Sequence, residues 1–175
     1  MKYDVIVIGA GPAGSTVSSL LIEKGIESVL LLDKARFPRP KPCAGGISPK
    51  ALNVLKDLGM MDEIVEFLGE YLYPIRGAKI GTPSGRSMIF AGNDEAAVAP
   101  RSHFDAALLK IARKRGTIIK EEAKVRSISA SGEDVRVILS SGDIYTGRYA
   151  INASGAGSRF RLLVPREELM TSCMG

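Results

Sequence analysis

Three glycines at positions 9, 11 and 14, in Gly9-Ala10-Gly11-Pro12-Ala13-Gly14, are the residues whose type and spacing point most directly to chemistry. Each omits its side chain for a different reason. Gly9 permits a tight turn, Gly11 lets backbone approach a phosphate, and Gly14 lets the next helix lie close to a strand. Pro12 falls near the first helical turn, where its missing N–H costs nothing. The N–H groups at a helix N-terminus bind anions, and the pyrophosphate of a dinucleotide is the anion that this spacing suits. Asp33 lies nineteen positions after Gly14, close to the ~20 expected of an acid that hydrogen-bonds an adenosine ribose. A carboxylate there repels a 2′-phosphate and argues against NADP as the nucleotide held. Lys34 and Arg36 soften that argument without reversing it.

Further along are Lys41-Pro42-Cys43-Ala44-Gly45-Gly46, Arg101 just before a helix, and Ser154-Gly155 after an apolar run. An arginine at such a place makes either a surface salt bridge near a helix start or a charge-assisted contact with an anionic ligand. Cys43 is a candidate for redox or proton-transfer work, with small buried filler as its other reading. His103, the single histidine, is expected to face solvent in a first helical turn, and Tyr71 and Tyr73 to pack. Two cysteines, Cys43 and Cys173, and one histidine have no metal-ligand spacing, so no metal site is expected. No serine sits in a nucleophile elbow, because the glycine-rich segments follow the dinucleotide pattern.

The elements that position these residues follow from apolar runs and turn signals. Val5 to Ile8 is apolar on both faces, as a buried central parallel strand should be. It feeds the glycine turn, a helix that ends at Gly25, and a second strand from Ser28 to Leu32. The proline-punctuated stretch 35–46 reads as an ordered loop whose Gly45-Gly46 lets backbone pass close to a flat ligand. Ser48-Pro49 caps a helix carrying Leu52, Leu55 and Leu58, and a weaker amphipathic stretch covers 62–68. Residues 75–80 and 86–90 read as a β-hairpin of a second sheet. Ser102 is expected to cap a helix, with Asp105 in a relative of the capping box and Phe104, Leu108, Ile111 and Ala112 facing the core. A third parallel strand spans 117–120. A three-stranded meander crossover follows, and Tyr149 to Ala153 re-enters the main sheet as a fourth parallel strand in the order 3-2-1-4. Pro165 to Met170 reads as a short helix.

The fold class is therefore α/β. A Rossmann-like FAD/NAD(P)-binding fold with a central parallel sheet and β-meander crossover is joined to part of a second β-sheet. Residues 1–70 and 97–163 make a discontinuous nucleotide-binding domain, 71–96 a hairpin of a partial substrate domain, and 164–175 a tail. The 175 residues, 45% hydrophobic and 25% charged, are ample for a core and typical of a globular protein. The net charge of +5 is scattered among acids rather than gathered in a run, which excludes nucleic acid as the expected partner. It leaves room for peripheral contact with an anionic membrane face. No signal peptide or membrane-spanning stretch is read. With so few cysteines, a reducing cytoplasm is the expected location.

Taken together, the glycine loop, Lys41 to Gly46, Arg101-x-x-Phe104-Asp105 and Ala153-Ser-Gly-Ala-x-Ser158 resemble the geranylgeranyl reductase family. That family sits within the wider FAD-binding group that includes aromatic-ring hydroxylases. The resemblance runs from Met1 to about Arg161. It implies that Gly9, Gly11, Pro12, Ala13 and Gly14 hold the FAD pyrophosphate and that Asp33, beside Lys34, holds the adenosine ribose. It implies that Arg101 reaches the FAD between pyrophosphate and ribityl chain, and that Cys43, Ala44, Gly45 and Gly46 lie near the isoalloxazine. Val125, Ser154 and Gly155 complete the implied cofactor contacts. Related flavoproteins often carry Asp-Gly where this chain has Ser154-Gly155. The implied reaction is hydride transfer from reduced flavin to an isoprenoid carbon–carbon double bond, with NAD(P)H or another reductant as electron donor. The family continues with a Gly-Asp segment and most of a substrate sheet, so the chain is expected to be truncated. Two other readings follow: a dinucleotide-binding module without independent catalysis, or a fragment of an FAD-dependent hydroxylase or monooxygenase.

Overall fold

The computed structural model describes residues 2–156, 158 and 160. Contacts divide the chain into two compact units, Met1–Arg36 with Ala112–Gly175, and Phe37–Ile111. This grouping differs from the one read in the sequence, because residues 37–70 and 97–111 cluster with the hairpin. Leu52, Leu55 and Ile64 share one core with Ala97, Ala99, Leu108 and Ile111.

The first unit contains β1 (Lys2–Ile8), α1 (Pro12–Glu23) and β2 (Val29–Leu32), then β6 (Ile118–Lys120), β7 (Val125–Ser131), β8 (Asp134–Leu139) and β9 (Ile144–Asn152). They form one sheet in the order β6-β2-β1-β9-β8-β7. The strands β6, β2, β1 and β9 are parallel neighbours, the 3-2-1-4 order expected. Burial of β1 and β2 on both faces, with Ile6, Val7 and Val29 to Leu32 inaccessible, is what an all-apolar parallel strand requires.

The meander differs from expectation in one respect. Its last strand and the re-entering strand are a single element, β9. Ile144 to Gly147 pairs antiparallel with β8, while Thr146 to Asn152 pairs parallel with β1. Nothing in the local sequence breaks the extended chain between these two partners. Leu30, Leu32, Ile6, Ile8, Val137 and Leu139 make the core under this junction.

Helix α1 buries Gly14, Ser15, Ser18 and Ser19, small residues that permit close approach, while Val17 and Leu20 are only half-buried. It closes as a Schellman motif. Gly25 N–H donates to the Ile22 carbonyl and Ile26 N–H to the Leu21 carbonyl, both at 3.0 Å, with Gly25 at φ +88°.

The second unit contains β3 (Gly46–Ile47), α2 (Pro49–Asp57), α3 (Met61–Leu68), a 3₁₀ turn at Gly69–Tyr71, β4 (Tyr73–Gly81) and β5 (Ser87–Val98). Helix α4 (Arg101–Lys114) starts here and carries the chain across the division. Its sheet has the order β3-β5-β4, so the expected hairpin and second sheet are both present. Gly46, expected to end a loop, instead opens a short strand that pairs with Val98. The Ser48 hydroxyl accepts from Ala51 N–H at 3.3 Å and caps α2. Helix α4 begins at Arg101 rather than after Ser102, because Phe104 N–H already donates to the Pro100 carbonyl at 3.0 Å. Asp105 therefore sits inside the helix, not in a capping box.

Among the described residues, no helix is long and apolar enough to cross a membrane. Arg161, the helix expected over Pro165 to Met170, the tail 164–175 and Cys173 lie outside the described residues.

Candidate functional site

In the first unit, the chain leaves β1 with Gly9 at φ +102°, a conformation that a side chain disfavours. A Cβ on Gly9 would also meet the Ala153 carbonyl oxygen at 2.6 Å and Ser154 Cα at 2.7 Å. One on Gly14 would lie 1.8 Å from the Gly9 carbonyl oxygen. Strand, turn, helix and the segment after β9 are thus packed backbone against backbone. Gly11, with φ −71° and ψ −175°, caps α1 without any side-chain hydrogen bond, and Pro12 follows at the first helical position. The first-turn N–H groups of α1 therefore have no side-chain acceptor at the cap. A phosphate at a helix N-terminus meets that need, so the turn fits a dinucleotide pyrophosphate.

Asp33 immediately follows β2 and is buried. Its Oδ2 accepts from Ala10 N–H at 2.6 Å and its Oδ1 from Ala35 N–H at 2.8 Å. The carboxylate thereby ties the glycine turn to the β2 terminus. Two N–H bonds leave roughly half of a carboxylate's four acceptor positions for a ligand hydroxyl. The Asp33 carbonyl accepts from Ala123 N–H at 2.7 Å, which brings the start of β7 beside the acid. Val125 is the first residue of β7 and is half-buried against the core, while Lys34 is exposed.

After β9, Ala153 N–H donates to the Ile8 carbonyl at 2.8 Å and sets Ser154 against the glycine turn. The Ser154 hydroxyl donates to Asn152 Oδ1 and lies 2.6 Å from Ser158 Oγ. Ser154 N–H also donates to Asn152 Oδ1, at 3.2 Å. Serine is engaged here in a local polar cluster, and Asn152 is a partner that sequence reasoning missed. Gly155 follows at φ +84° with open space around it.

The second unit gathers Cys43, Ala44, Gly45, Gly46 and Arg101. Exposed Cys43 Sγ accepts from Gly45 N–H at 3.4 Å and lies 3.9 Å from Arg101 Nη1. The Gly45 N–H and then the Arg101 guanidinium hold the thiol below its ordinary range, with Lys41 adding a smaller effect. Gly45, at φ +78°, is pressed against β5, where its Cβ would lie 2.4 Å from the Ala99 carbonyl oxygen. Gly46 has open space around it. Gly45 thus makes a close backbone approach to Ala99 of its own chain. Ala44 is exposed.

Arg101 Nε donates to Asp105 Oδ1, and Arg39 Nη2 donates to Asp105 Oδ2 at 3.3 Å. Asp105 is 1% exposed. Its role was not read from the sequence, since Arg39 lies sixty-six positions away. An Arg-x-x-x-Asp spacing at a helix start was the one available signal. His103 is half-buried rather than solvent-facing. Its ring stacks on Tyr71 with centroids 4.0 Å apart and planes 24° apart. Among the described residues no three potential ligands gather to hold a metal.

The FAD-dependent monooxygenase ptmM of Penicillium ochrochloron is 32% identical over 170 residues, covering 91% of this chain and 39% of that protein. The menaquinone reductase of Mycolicibacterium smegmatis is 32% identical over 163 residues, covering 90% of this chain and 38% of that protein. The halogenase PltM in complex with phloroglucinol and FAD superposes with a TM-score of 0.77 at 25% identity, covering 90% of this chain and 35% of that one. The chain thus spans less than two fifths of the length of these relatives. The family model described as the FAD binding domain matches residues 2–173. This chain belongs to that FAD binding domain family.

Proposed function

We propose that this chain holds FAD for a flavin-dependent oxidoreductase of the monooxygenase and reductase kind. The observation that carries the reading is the Asp33 carboxylate bonded to Ala10 N–H at the base of an α1 N-terminus that has no side-chain cap. In this reading Gly9, Gly11, Pro12, Ala13 and Gly14 cradle the pyrophosphate. Asp33, with Lys34 beside it, accepts from the ribose, and Val125 lines the adenosine. Ser154 and Gly155 close the turn from the side of β9. The resemblance to geranylgeranyl reductases assigns Arg101 to a cofactor contact and Cys43, Ala44, Gly45 and Gly46 to the flavin half. FAD, when bound, supplies hydride and electron transfer, and the chain's residues supply grip and orientation. The test is a visible spectrum of the purified chain after incubation with excess FAD and gel filtration. Co-eluting flavin absorbance is expected, and its absence overturns the proposal.

Similarity to the Penicillium monooxygenase and to a halogenase supports chemistry of that kind at least as well as isoprenoid reduction. The second reading is reduction of a prenyl carbon–carbon double bond, drawn from the resemblance to geranylgeranyl reductases. It is favoured by Cys43 beside Arg101 and by similarity to a menaquinone reductase. A prenyl-lipid substrate would bring the chain to a membrane face, for which its +5 charge is favourable. The two readings separate by product mass with NAD(P)H as reductant. A monooxygenase product gains one oxygen and needs air, whereas a saturated prenyl chain gains two hydrogens and forms without it.

A further inference from the structure

We propose that Asp105 is a positioning residue whose carboxylate holds the Arg101 guanidinium against Cys43 Sγ. The relationship lies wholly inside the second unit. Asp105 is buried, and each of its carboxylate oxygens takes one arginine: Oδ1 the Nε of Arg101, Oδ2 the Nη2 of Arg39. A buried carboxylate is costly without a cation, so this pairing is strongly imposed. A guanidinium is a rigid planar fork. With Nε pinned inside α4, Arg101 has little freedom left, and its Nη1 lies 3.9 Å from the thiol. Arg39 anchors the other side, and its guanidinium carbon also sits 4.9 Å from the Phe37 ring centroid. Asp105 thereby links α4 to the proline-rich loop that carries Cys43.

The groups facing Cys43 are Arg101 from α4, and Lys41 and the Gly45 N–H from its own loop. Asp105 stands behind Arg101 with the opposite charge, and that fixes the sign of the test. Acting only through its field, a carboxylate disfavours the thiolate, so removing it would lower the pH at which Cys43 ionises. Acting by positioning Arg101, its removal frees the guanidinium and raises that pH. A role confined to stability moves the unfolding curve and leaves the thiol where it was.

The experiment follows iodoacetamide alkylation of Cys43 against pH in the FAD-free 175-residue chain, by peptide mass spectrometry so that Cys173 is counted separately. Asp105→Ala is expected to move the midpoint upward and to slow alkylation at pH 7 about threefold. Asp105→Asn, which keeps volume and one acceptor, is expected to move it by less in the same direction. Arg101→Ala should reproduce the shift, and adding Asp105→Ala to it should shift it no further. An unchanged or lowered midpoint in either folded Asp105 variant overturns the proposal. Should both variants fail to fold, the unmutated chain decides. Its Arg101 Nε–H should give a resolved NMR signal protected from solvent exchange, and rapid exchange there overturns the proposal. What the thiol does toward a flavin rests on the function proposed above. Because this measurement uses no FAD, failure of that function and failure of this inference are read separately.

Discussion

The Asp33 carboxylate accepts the Ala10 backbone N–H at 2.6 Å and so holds the phosphate-side turn and the ribose-side strand end in one fixed relation. Its other oxygen accepts from Ala35 N–H at 2.8 Å. An acid at this position therefore has a structural task before any nucleotide arrives. Hydrogen bonds to a charged group contribute about 1.5–3 kcal/mol each. Asp33→Ala is expected to cost about 3–5 kcal/mol in urea unfolding, and Asp33→Asn, which keeps one acceptor, about 1–3 kcal/mol. Folded Asp33→Asn should bind FAD at least about tenfold more weakly by calorimetric titration, the loss of one such bond to ribose.

Gly14 tests whether the turn tolerates any side chain. A Cβ there would lie 1.8 Å from the Gly9 carbonyl oxygen, a backbone atom that cannot rotate away. Gly14→Ala is expected to destabilise by about 3 kcal/mol or more and to abolish flavin retention. Gly25→Ala is the control. Gly25 is at φ +88° with open space around it, so only backbone strain of about 1–2 kcal/mol applies, and FAD binding should survive. Thermal melts with and without FAD separate the two.

How much of this was legible in the sequence depended on the range of each interaction. The β1–α1–β2 unit could be read because its signals are consecutive: an apolar strand, three glycines, a helix and Asp33. The 3-2-1-4 strand order followed from the same logic. Three features were hidden because their causes are distant in sequence. Asp105 looked like part of a helix cap, since its second arginine, Arg39, comes from another loop. The need for glycine at position 45 has such a distant cause too, since it is the Ala99 carbonyl that excludes a side chain there. β9 looked like two strands, because its two halves answer to different partners, β8 and β1.

Cys43 carries a pH dependence whose sign is fixed by its surroundings. The Gly45 N–H and the Arg101 guanidinium favour the thiolate and hold its pKa below the ordinary value. At pH 7 the folded chain should therefore be alkylated at Cys43 faster than the urea-unfolded chain, and the difference should close above the ordinary thiol range, near pH 9. Because the folded value is depressed, the group's contribution to stability is present above the unfolded pKa and lost as pH falls through the folded one. Equal rates in folded and unfolded chains at pH 7 would contradict the assignment.

The ion pairs of the two units should differ sharply in what they contribute. Arg101→Met leaves the Asp105 carboxylate, 1% exposed, with Arg39 as its remaining arginine at 3.3 Å. Breaking a buried pair costs about 3–5 kcal/mol, and such a loss is expected in urea unfolding. Arg115 Nη1 meets Glu23 Oε2 at 2.7 Å, but Glu23 is half-exposed there. Glu23→Ala is expected to cost less than about 1 kcal/mol and to cost still less in salt.

The hairpin makes the last prediction. Its register pairs Ile80 with Met88 and Ala78 with Phe90, and the period-2 alternation of strands puts these four on one face. Ile80, Met88 and Phe90 are more than half exposed there, together lining a cleft with Thr82 and Arg86. β4 also forms an edge of its sheet, and an exposed apolar edge favours association between chains. These side chains bury little area in this chain, so Met88→Lys and Phe90→Ser should change unfolding free energy by no more than about 0.5 kcal/mol. They should raise the concentration at which light scattering appears. A large loss of stability would show that the face is packed in solution, and unchanged scattering would show that association runs through another surface.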